Sequence, residues 1–484
     1  MSEQRQSFVK QALSSHSLIG ITFGALLFLI CFTGALAVFY EEIERWEQPT
    51  AEEHNPPSLA AIETTLNQVL QNPELTTEHM YLVFPNEALP RYKIANEREG
   101  WYLNSQGELD VPATDHVSHF ITGLHNQLTL PENIGIYLVS LLGIILTGMI
   151  ISGFCAHPNI FKDAFHWRTH RSQQLKEVDT HNRLSVWGAP FYLMMAITGA
   201  YFGFSGLLFG AYSSVFYPGT QEELVSEIFG EEPHLTGQAS TVNLTKTMAE
   251  VKEINPTGKP LFAIVHDGGT ENQFVEVFMQ HPDRLIYSEN YQFDTAGNYL
   301  GKAGFSDGET AKQMAYSVYR LHFGHFAGLP IKFLYFILGL ALAYVCISGI
   351  NIWLIKRRYE DWLNKAWTAT VWGLPLAITA SVFLQIMHWA PATATFWISW
   401  LAIIIGGTRL AEPRTVNTYL ILANGVMSLI LLMGYGLHHE FVFWGAGTIN
   451  TVLLLWAAIT LYLGISRLKQ PTVEEQQLVA GEAG

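Results

Sequence analysis

Charge is scarce in this chain. Only 14% of its 484 residues are Asp, Glu, Lys or Arg, well under the roughly 25% of an average soluble protein. Basic residues are the scarcer sign, 27 against 42 acidic, for a net charge of −15, which excludes nucleic-acid binding through a cationic surface. Cysteine is nearly absent. Cys31, Cys155 and Cys346 each lie alone in an apolar run, which excludes a disulfide scaffold, a zinc knuckle and an iron–sulfur cluster and leaves them as small buried hydrophobes. Apolar residues fill the space that charge vacates: 49% of the chain, with 13 Trp and 29 Phe. That composition excludes disorder, and the length suffices for two to four domains.

Eight segments have the length and apolar content of membrane spans, at about 20 residues each: 17–39, 133–154, 185–210, 333–355, 367–388, 394–410, 417–437 and 443–465, the sixth being short. Ala35-Leu36-Ala37 imitates a signal-peptide cleavage site, but the run before it is too long for one. The positive-inside rule sets the orientation. With both termini cytoplasmic, 15 of the 27 basic residues fall in short cytoplasmic segments, giving that side a balance of +5 and the outer side −20. The acidity therefore belongs to two large external loops, where it aids solubility or attracts a cationic substrate.

The chain repeats itself. His16 precedes Thr33-Gly34-Ala35 by 17 positions, and His181 precedes Thr198-Gly199-Ala200 by the same 17. Leu124-His125, Leu130-Pro131, Gly143 and Ser152-Gly153 match Leu321-His322, Leu329-Pro330, Gly339 and Ser348-Gly349. Between the members of each pair lies an external unit of similar grammar. In the first, residues 58–70 read as helix, with strands at Met80–Phe84, Arg91–Ala95 and Trp101–Leu103. In the second, 242–253 read as helix, with strands at Leu261–His266, Phe274–Met279, Leu285–Tyr287 and Tyr291–Phe293. The expected fold is a mainly α membrane protein in which duplicated helix–α+β domain–helix units form a four-helix bundle, followed by about four further spans.

Eighteen histidines stand out. His54, His79, His234, His266 and His281 fall in the external units and read as surface residues. His157, His388, His438 and His439 sit at helix ends. The four repeat histidines differ, because ionisable groups in a membrane bundle are costly and usually functional. His16 and His181 are expected to face each other near the cytoplasmic boundary, and His125 and His322 near the outer one. Imidazoles from two facing helices are the arrangement that clamps an iron porphyrin on both axial faces. Gly20, Gly24, Gly123, Gly135, Gly188, Gly324 and Gly328 offer room for a macrocycle or simply helix packing. Arg168, Arg171, Arg183 and Arg320 are candidates to pair with its propionates. His325, His116 and His119 compete as ligands, and His166 and His170 form an i, i+4 pair.

The motifs His16-Ser17-Leu18-Ile19-Gly20 with Phe32-Thr33-Gly34-Ala35, Asp179-Thr180-His181-Asn182-Arg183-Leu184-Ser185-Val186-Trp187 with Thr198-Gly199-Ala200, and Leu321-His322-Phe323-Gly324 with Ser348-Gly349 resemble those of PepSY-associated transmembrane proteins. The resemblance covers roughly residues 8–358 and makes the external units PepSY-like domains. Members of this family include inner-membrane ferric-siderophore reductases, which implies two haem b groups with bis-His ligation by His16, His125, His181 and His322, with His325 as the nearest rival. It also implies a ferric siderophore as substrate in the periplasm, and an electron donor such as quinol or a cytoplasmic reductase. No G-x-G-x-x-G fingerprint follows an expected strand, and no P-loop occurs.

The organisation that follows has a cytoplasmic N-terminus and first span (1–40), a first periplasmic PepSY-like domain (41–125), and the second and third spans with their cytoplasmic loop (126–210). A second periplasmic PepSY-like domain (211–318), a fourth span (319–358) and a C-terminal membrane domain of about four spans with a cytoplasmic tail (359–484) complete it. The expected location is the bacterial inner membrane, with lipid as a partner and nucleic acid excluded. A PepSY-domain sensor or peptidase-binding protein without redox activity is the alternative. A transporter ranks lower, because acidic residues are nearly absent from the apolar cores.

Overall fold

The computed structural model describes residues 3–469 except 54, 166–171, 219, 221–225, 227–232, 234, 236–240, 411 and 440–446. In chain order, α1 (Glu3–Ala37), α2 (Tyr40–Glu47) and α3 (Leu59–Leu70) lead to strands β1 (His79–Val83), β2 (Lys93–Ala95), β3 (Gly100–Leu103) and β4 (Leu109–Pro112). Then come α4 (His116–Gln127), α5 (Glu132–Ala156), α6 (Ile160–Asp163) and α7 (Gln173–Phe216). The second half continues with α8 (Leu244–Ile254), β5 (Lys259–His266), β6 (Phe274–Gln280), β7 (Glu289–Phe293), β8 (Tyr299–Lys302), α9 (Thr310–Phe323) and α10 (Gly328–Lys356). Four helices follow: α11 (Trp362–Ile386), α12 (Ala392–Thr408), α13 (Pro413–His438) and α14 (Gly447–Leu468).

Among the described residues, seven helices are long and apolar enough to cross a membrane: α1, α5, α7, α10, α11, α13 and α14. Helix α12, expected as the sixth span, is apolar but only 17 residues long, about 26 Å at 1.5 Å per residue. Helix α7 runs for 44 residues, roughly 66 Å, so its polar first turns protrude beyond a core of about 30 Å. Helices α1, α5, α7 and α10 close a four-membered ring in which α1 packs on α5 and α10, and α7 on the same two. Small residues let the backbones approach. A Cβ on Gly143 would lie 2.8 Å from the Ala196 carbonyl oxygen, and one on Gly339 would lie 3.0 Å from the Ala35 Cβ.

The sheet side departs from expectation. Two separate α+β units were expected, but the eight strands among the described residues form one antiparallel sheet in the order β4-β3-β2-β1-β5-β6-β7-β8. Each half leaves its first strand as an edge, and the two edges pair with each other from His79↔His266 to Val83↔Phe262. Joining them removes two exposed edges that would otherwise invite aggregation. Helices α3 and α8 cover one face of the sheet over a shared core of Ile62, Leu66, Met80, Leu82, Val265 and Val277. Asn67 ties the halves by bonding both the N–H and the C=O of Val242. Strands β4 and β8 were missed because they are short and largely solvated. The strand expected at Leu285–Tyr287 is absent: Ile286 turns into a small cluster with Ala303 and Phe305.

Helix α2 joins the sheet to the membrane body. Trp46 stacks on Tyr435 of α13 at 4.5 Å, donates to Asn450 of α14, and accepts the Tyr435 hydroxyl at its carbonyl. Lys332, at the start of α10, donates to Glu41 at 2.9 Å and to both oxygens of Glu42 at 2.9 and 3.0 Å. Burial pushes Glu42 up. The same push on Glu41 is outweighed by Lys332 and His325, which hold it below the usual carboxylate range. Removing Lys332 leaves buried carboxylate unpaired, so Lys332→Ala costs about 3–5 kcal/mol of stability, seen as a lower unfolding midpoint in detergent. An unchanged midpoint contradicts this role.

Helix α4 has no cap from its own Asp115; instead the Val117 N–H donates to both Glu47 oxygens at 3.1 and 2.9 Å. Burial pushes the Glu47 carboxyl up to about 8. A raised carboxyl stabilises the fold while protonated, so this contribution is complete below the ordinary value of 4.5 and is lost as pH rises through about 8. Glu47→Gln keeps an acceptor and removes the titration. The melting temperature of the native chain should fall more steeply than that of the variant between about pH 5 and pH 9; equal slopes overturn the assignment.

Candidate functional site

The four repeat histidines lie in two pairs at opposite levels of the ring. The His16 and His181 rings are 6.4 Å apart at an interplanar angle of 80°. The His125 and His322 rings are 6.2 Å apart at 28°. On the continuous helix α1, His16 and Gly34, which faces His125, are 18 residues apart, roughly 27 Å of rise.

The surroundings of each ring explain the motifs. His16 shares its Nδ1 with the Met149 carbonyl at 3.1 Å and Ser152 Oγ at 3.2 Å. His181 does the same with the Val345 carbonyl at 3.1 Å and Ser348 Oγ at 2.9 Å. His125 Nδ1 meets the Ile30 carbonyl at 3.0 Å, and His322 Nδ1 meets Thr198 Oγ1 at 2.8 Å. Carbonyl acceptors fix the Nδ1–H tautomer, leaving the Nε2 lone pair of His16, His125 and His181 free, the second-shell pattern of a metal-bound histidine. A glycine faces every ring: a Cβ would lie 2.6 Å from His125 Cε1 at Gly34, 3.2 Å from His16 Cε1 at Gly153, 3.4 Å from His322 Cε1 at Gly199 and 3.5 Å from His181 Cε1 at Gly349. The Ser-Gly and Thr-Gly dipeptides thus supply ring space, and three of the four also supply the hydroxyl. Thr33 is the exception, its hydroxyl turning back to the Leu29 carbonyl.

The helices that carry the second pair end abruptly. After His125 the chain turns at Leu128 and Thr129, both at φ 54°; after His322 it turns at Gly324, φ 70°. Such left-handed residues stop a helix, and Pro131 at the N-cap of α5 and Pro330 in the first turn of α10 then stand where a missing N–H costs nothing. A cavity of about 300 Å3 opens between this pair, lined by Gly34, Gly143, Gly199 and Gly339 along with Tyr319 and Phe323.

Several other expectations shift. The glycines that make room are Gly34, Gly153, Gly199 and Gly349. Those first favoured do other work: Gly135 abuts the Gln127 backbone, Gly188 the Tyr192 ring, and Gly24 Ile350. Arg320 points away from the cavity, its Nε and Nη1 donating to the carbonyls of His325, His281, Arg284 and Ile286. Arg183 donates to the Ala164 carbonyl and lies over Trp187. His325 lies beside Tyr40 and 4.0 Å from Glu41, outside the pair, and burial holds it below its usual range. His116 and His119 are exposed on α4. Arg168, Arg171, His166 and His170 lie outside the described residues. Cys31 and Cys346, expected to stand alone, are in hydrogen-bonding contact with each other as free thiols.

The donor set tests well against an axially ligated metallomacrocycle. Two imidazoles sharing one first-row metal through Nε2 at about 2 Å each hold their centroids roughly 6 Å apart, which is the spacing of both pairs. The apolar, glycine-lined cavity between His125 and His322 is what a flat apolar group requires.

Comparison with known proteins agrees with this architecture. The chain is 25% identical over 260 residues to an uncharacterized protein of Pseudomonas aeruginosa, a match that covers 51% of this chain and 64% of that protein's length. The model of the PepSY-associated TM region matches residues 13–356, a span that holds both histidine pairs and the whole sheet. This multi-pass membrane protein belongs to the PepSY-associated transmembrane family.

Proposed function

We propose that the chain is a haem b oxidoreductase of the bacterial inner membrane that carries electrons to ferric siderophores on the periplasmic side and releases Fe(II). The observation that carries this reading is the repeated environment of the four imidazoles: Nδ1 tied to a carbonyl or hydroxyl, a glycine before the ring, and a partner ring 6.2 or 6.4 Å away.

His125 and His322 would hold one haem, and His16 and His181 the other, each through Nε2. Held there, haem would supply a one-electron Fe(III)/Fe(II) couple. The residues of the chain do the remaining work. Ser152, Ser348 and Thr198 orient the rings, and the apolar lining excludes water. Tyr319 of the cavity wall packs on Tyr287, between β6 and β7, so substrate would arrive on the sheet side of the second pair. One electron reduces each ferric ion, and Fe(II) is a poorer match than Fe(III) for hard siderophore oxygens, so the iron leaves. The electrons enter from quinol or a cytoplasmic reductase, since the chain has no nucleotide-binding fingerprint of its own. Both termini then lie in the cytoplasm, with the sheet in the periplasm.

Protein purified from haem-sufficient cells should be red and contain two haems per chain, with a reduced spectrum of six-coordinate haem b. His125→Ala or Gly34→Val should remove one equivalent and His181→Ala or Gly349→Val the other, and each should abolish trapping of Fe(II) from a ferric siderophore in vesicles supplied with reductant inside. A colourless preparation, or an undiminished haem ratio in all four variants, overturns the proposal.

A further inference from the structure

The seam between the two half-sheets gathers a second set of ligand groups, remote from the bundle pairs. In β1, Met80 and Leu82 enter the core under α3 and α8, so His79, Tyr81 and Val83 point to the opposite face. On that face His79 is directly paired with His266 of β5, with the rings 5.1 Å apart in a T-shaped contact. His79 Nδ1 lies 2.9 Å from Glu97 Oε1. Glu78, His79 and Glu97 each place a ligand atom within 4.8 Å of the other two. His266 Nε2 lies 3.2 Å from Glu276 Oε2. Glu78, His79 and Glu97 of the first half therefore form a three-ligand cluster, and His266 of the second half, held by Glu276, stands against the His79 ring.

We propose that this seam is a binding site for a divalent first-row transition-metal ion, with Glu78, His79 and Glu97 as ligands and His266, oriented by Glu276, as the fourth donor. The chemistry selects the ion class. Imidazole with carboxylate suits Fe(II), Mn(II) or Zn(II); an all-oxygen set would favour Ca(II) or Mg(II), and thiolate would favour Cu(I). An ion at about 2.1 Å from each ligand separates neighbouring ligand atoms by roughly 3 Å. The His79–Glu97 pair already has that spacing, so it need only exchange the shared proton for the ion. The carboxylates neutralise the dication, and Glu276 plays the part that an outer carboxylate plays for a ligating histidine.

The site also has a defined place relative to the bundle. The other end of the same face touches the membrane body: Lys93, paired with Val83, bonds Glu44 of α2. The metal ligands sit four residues along β1 from Val83, roughly 13 Å away. An ion there is held on the sheet rather than in the bundle, and the site stands whether or not the bundle carries haem.

The test uses the full-length protein in detergent, stripped with chelator and then equilibrated with Zn(II), read by calorimetry and by metal content after dialysis. The side chains of His79 and Glu97 are 33% and 44% exposed, so their replacement leaves the core intact. The native chain should bind one more equivalent than the His79→Ala/Glu97→Gln double variant, and His266→Ala should weaken that equivalent at least tenfold. If the double variant fails to fold, His266→Ala decides alone. Equal stoichiometry and affinity in the native chain and the variants would overturn the site and identify two ordinary His–Glu pairs. Haem content in the same samples reports separately on the bundle.

Discussion

An imidazole inside an apolar helix bundle must find a partner for its N–H and room for its ring. Here both demands are met four times by the same device: an acceptor on the neighbouring helix takes Nδ1, and a glycine on that helix leaves the ring its space. For His16 and His181 the acceptor pair is a carbonyl with a serine hydroxyl three residues further on. The cost of burying a polar ring without a partner fixes the rotation of α1, α5, α7 and α10 about their axes. It also places the two ring pairs at opposite ends of the bundle. The left-handed turns after α4 and α9 follow from the same need, because they bring a short helix down onto the bundle and then start a new spanning helix within a few residues.

Duplication explains the rest of the first 356 residues. Each half contributes two long helices to the ring, one set of strands between them, and one short helix that carries a histidine back to it. Two such halves related by pseudo-symmetry bring like edges together, and the β1–β5 pairing turns two small sheets into one. The helices after residue 361 take no part in the repeat. They pack against it as a buttress through Phe28 on Trp367, Trp397 on Thr129 and the Trp46–Tyr435 stack, which fixes α2.

The helical frame was legible because apolar runs of this length have no other stable use, and the four histidines were legible because the same spacing occurs twice. The union of the sheets was not, since strands read by alternation carry no record of which edge they meet. Strands β4 and β8 escaped because solvated strands such as Leu109–Pro112 lack an apolar face. The choice of glycines was mistaken for a related reason. Gly20 and Gly188 follow His16 and His181 along their own helices, whereas the space those rings need is set by the helix opposite, where Gly153 and Gly349 stand. The motif dipeptides Ser152-Gly153 and Ser348-Gly349 were visible as repeats, and a rule that pairs each buried histidine with a small residue on its neighbour would have found their role. The pairing of His79 with His266 was hidden by the same ignorance of strand order that hid the single sheet.

The most direct test of the bundle's role is the low-temperature electron paramagnetic resonance spectrum of the oxidised, purified protein. The two ring pairs differ in mutual orientation, 80° for His16 and His181 against 28° for His125 and His322. Two low-spin ferric signals are expected: a strongly anisotropic one from the near-perpendicular pair, and a rhombic one from the near-parallel pair. A spectrum with no low-spin ferric signal, or with only high-spin iron, contradicts ligation by facing imidazoles.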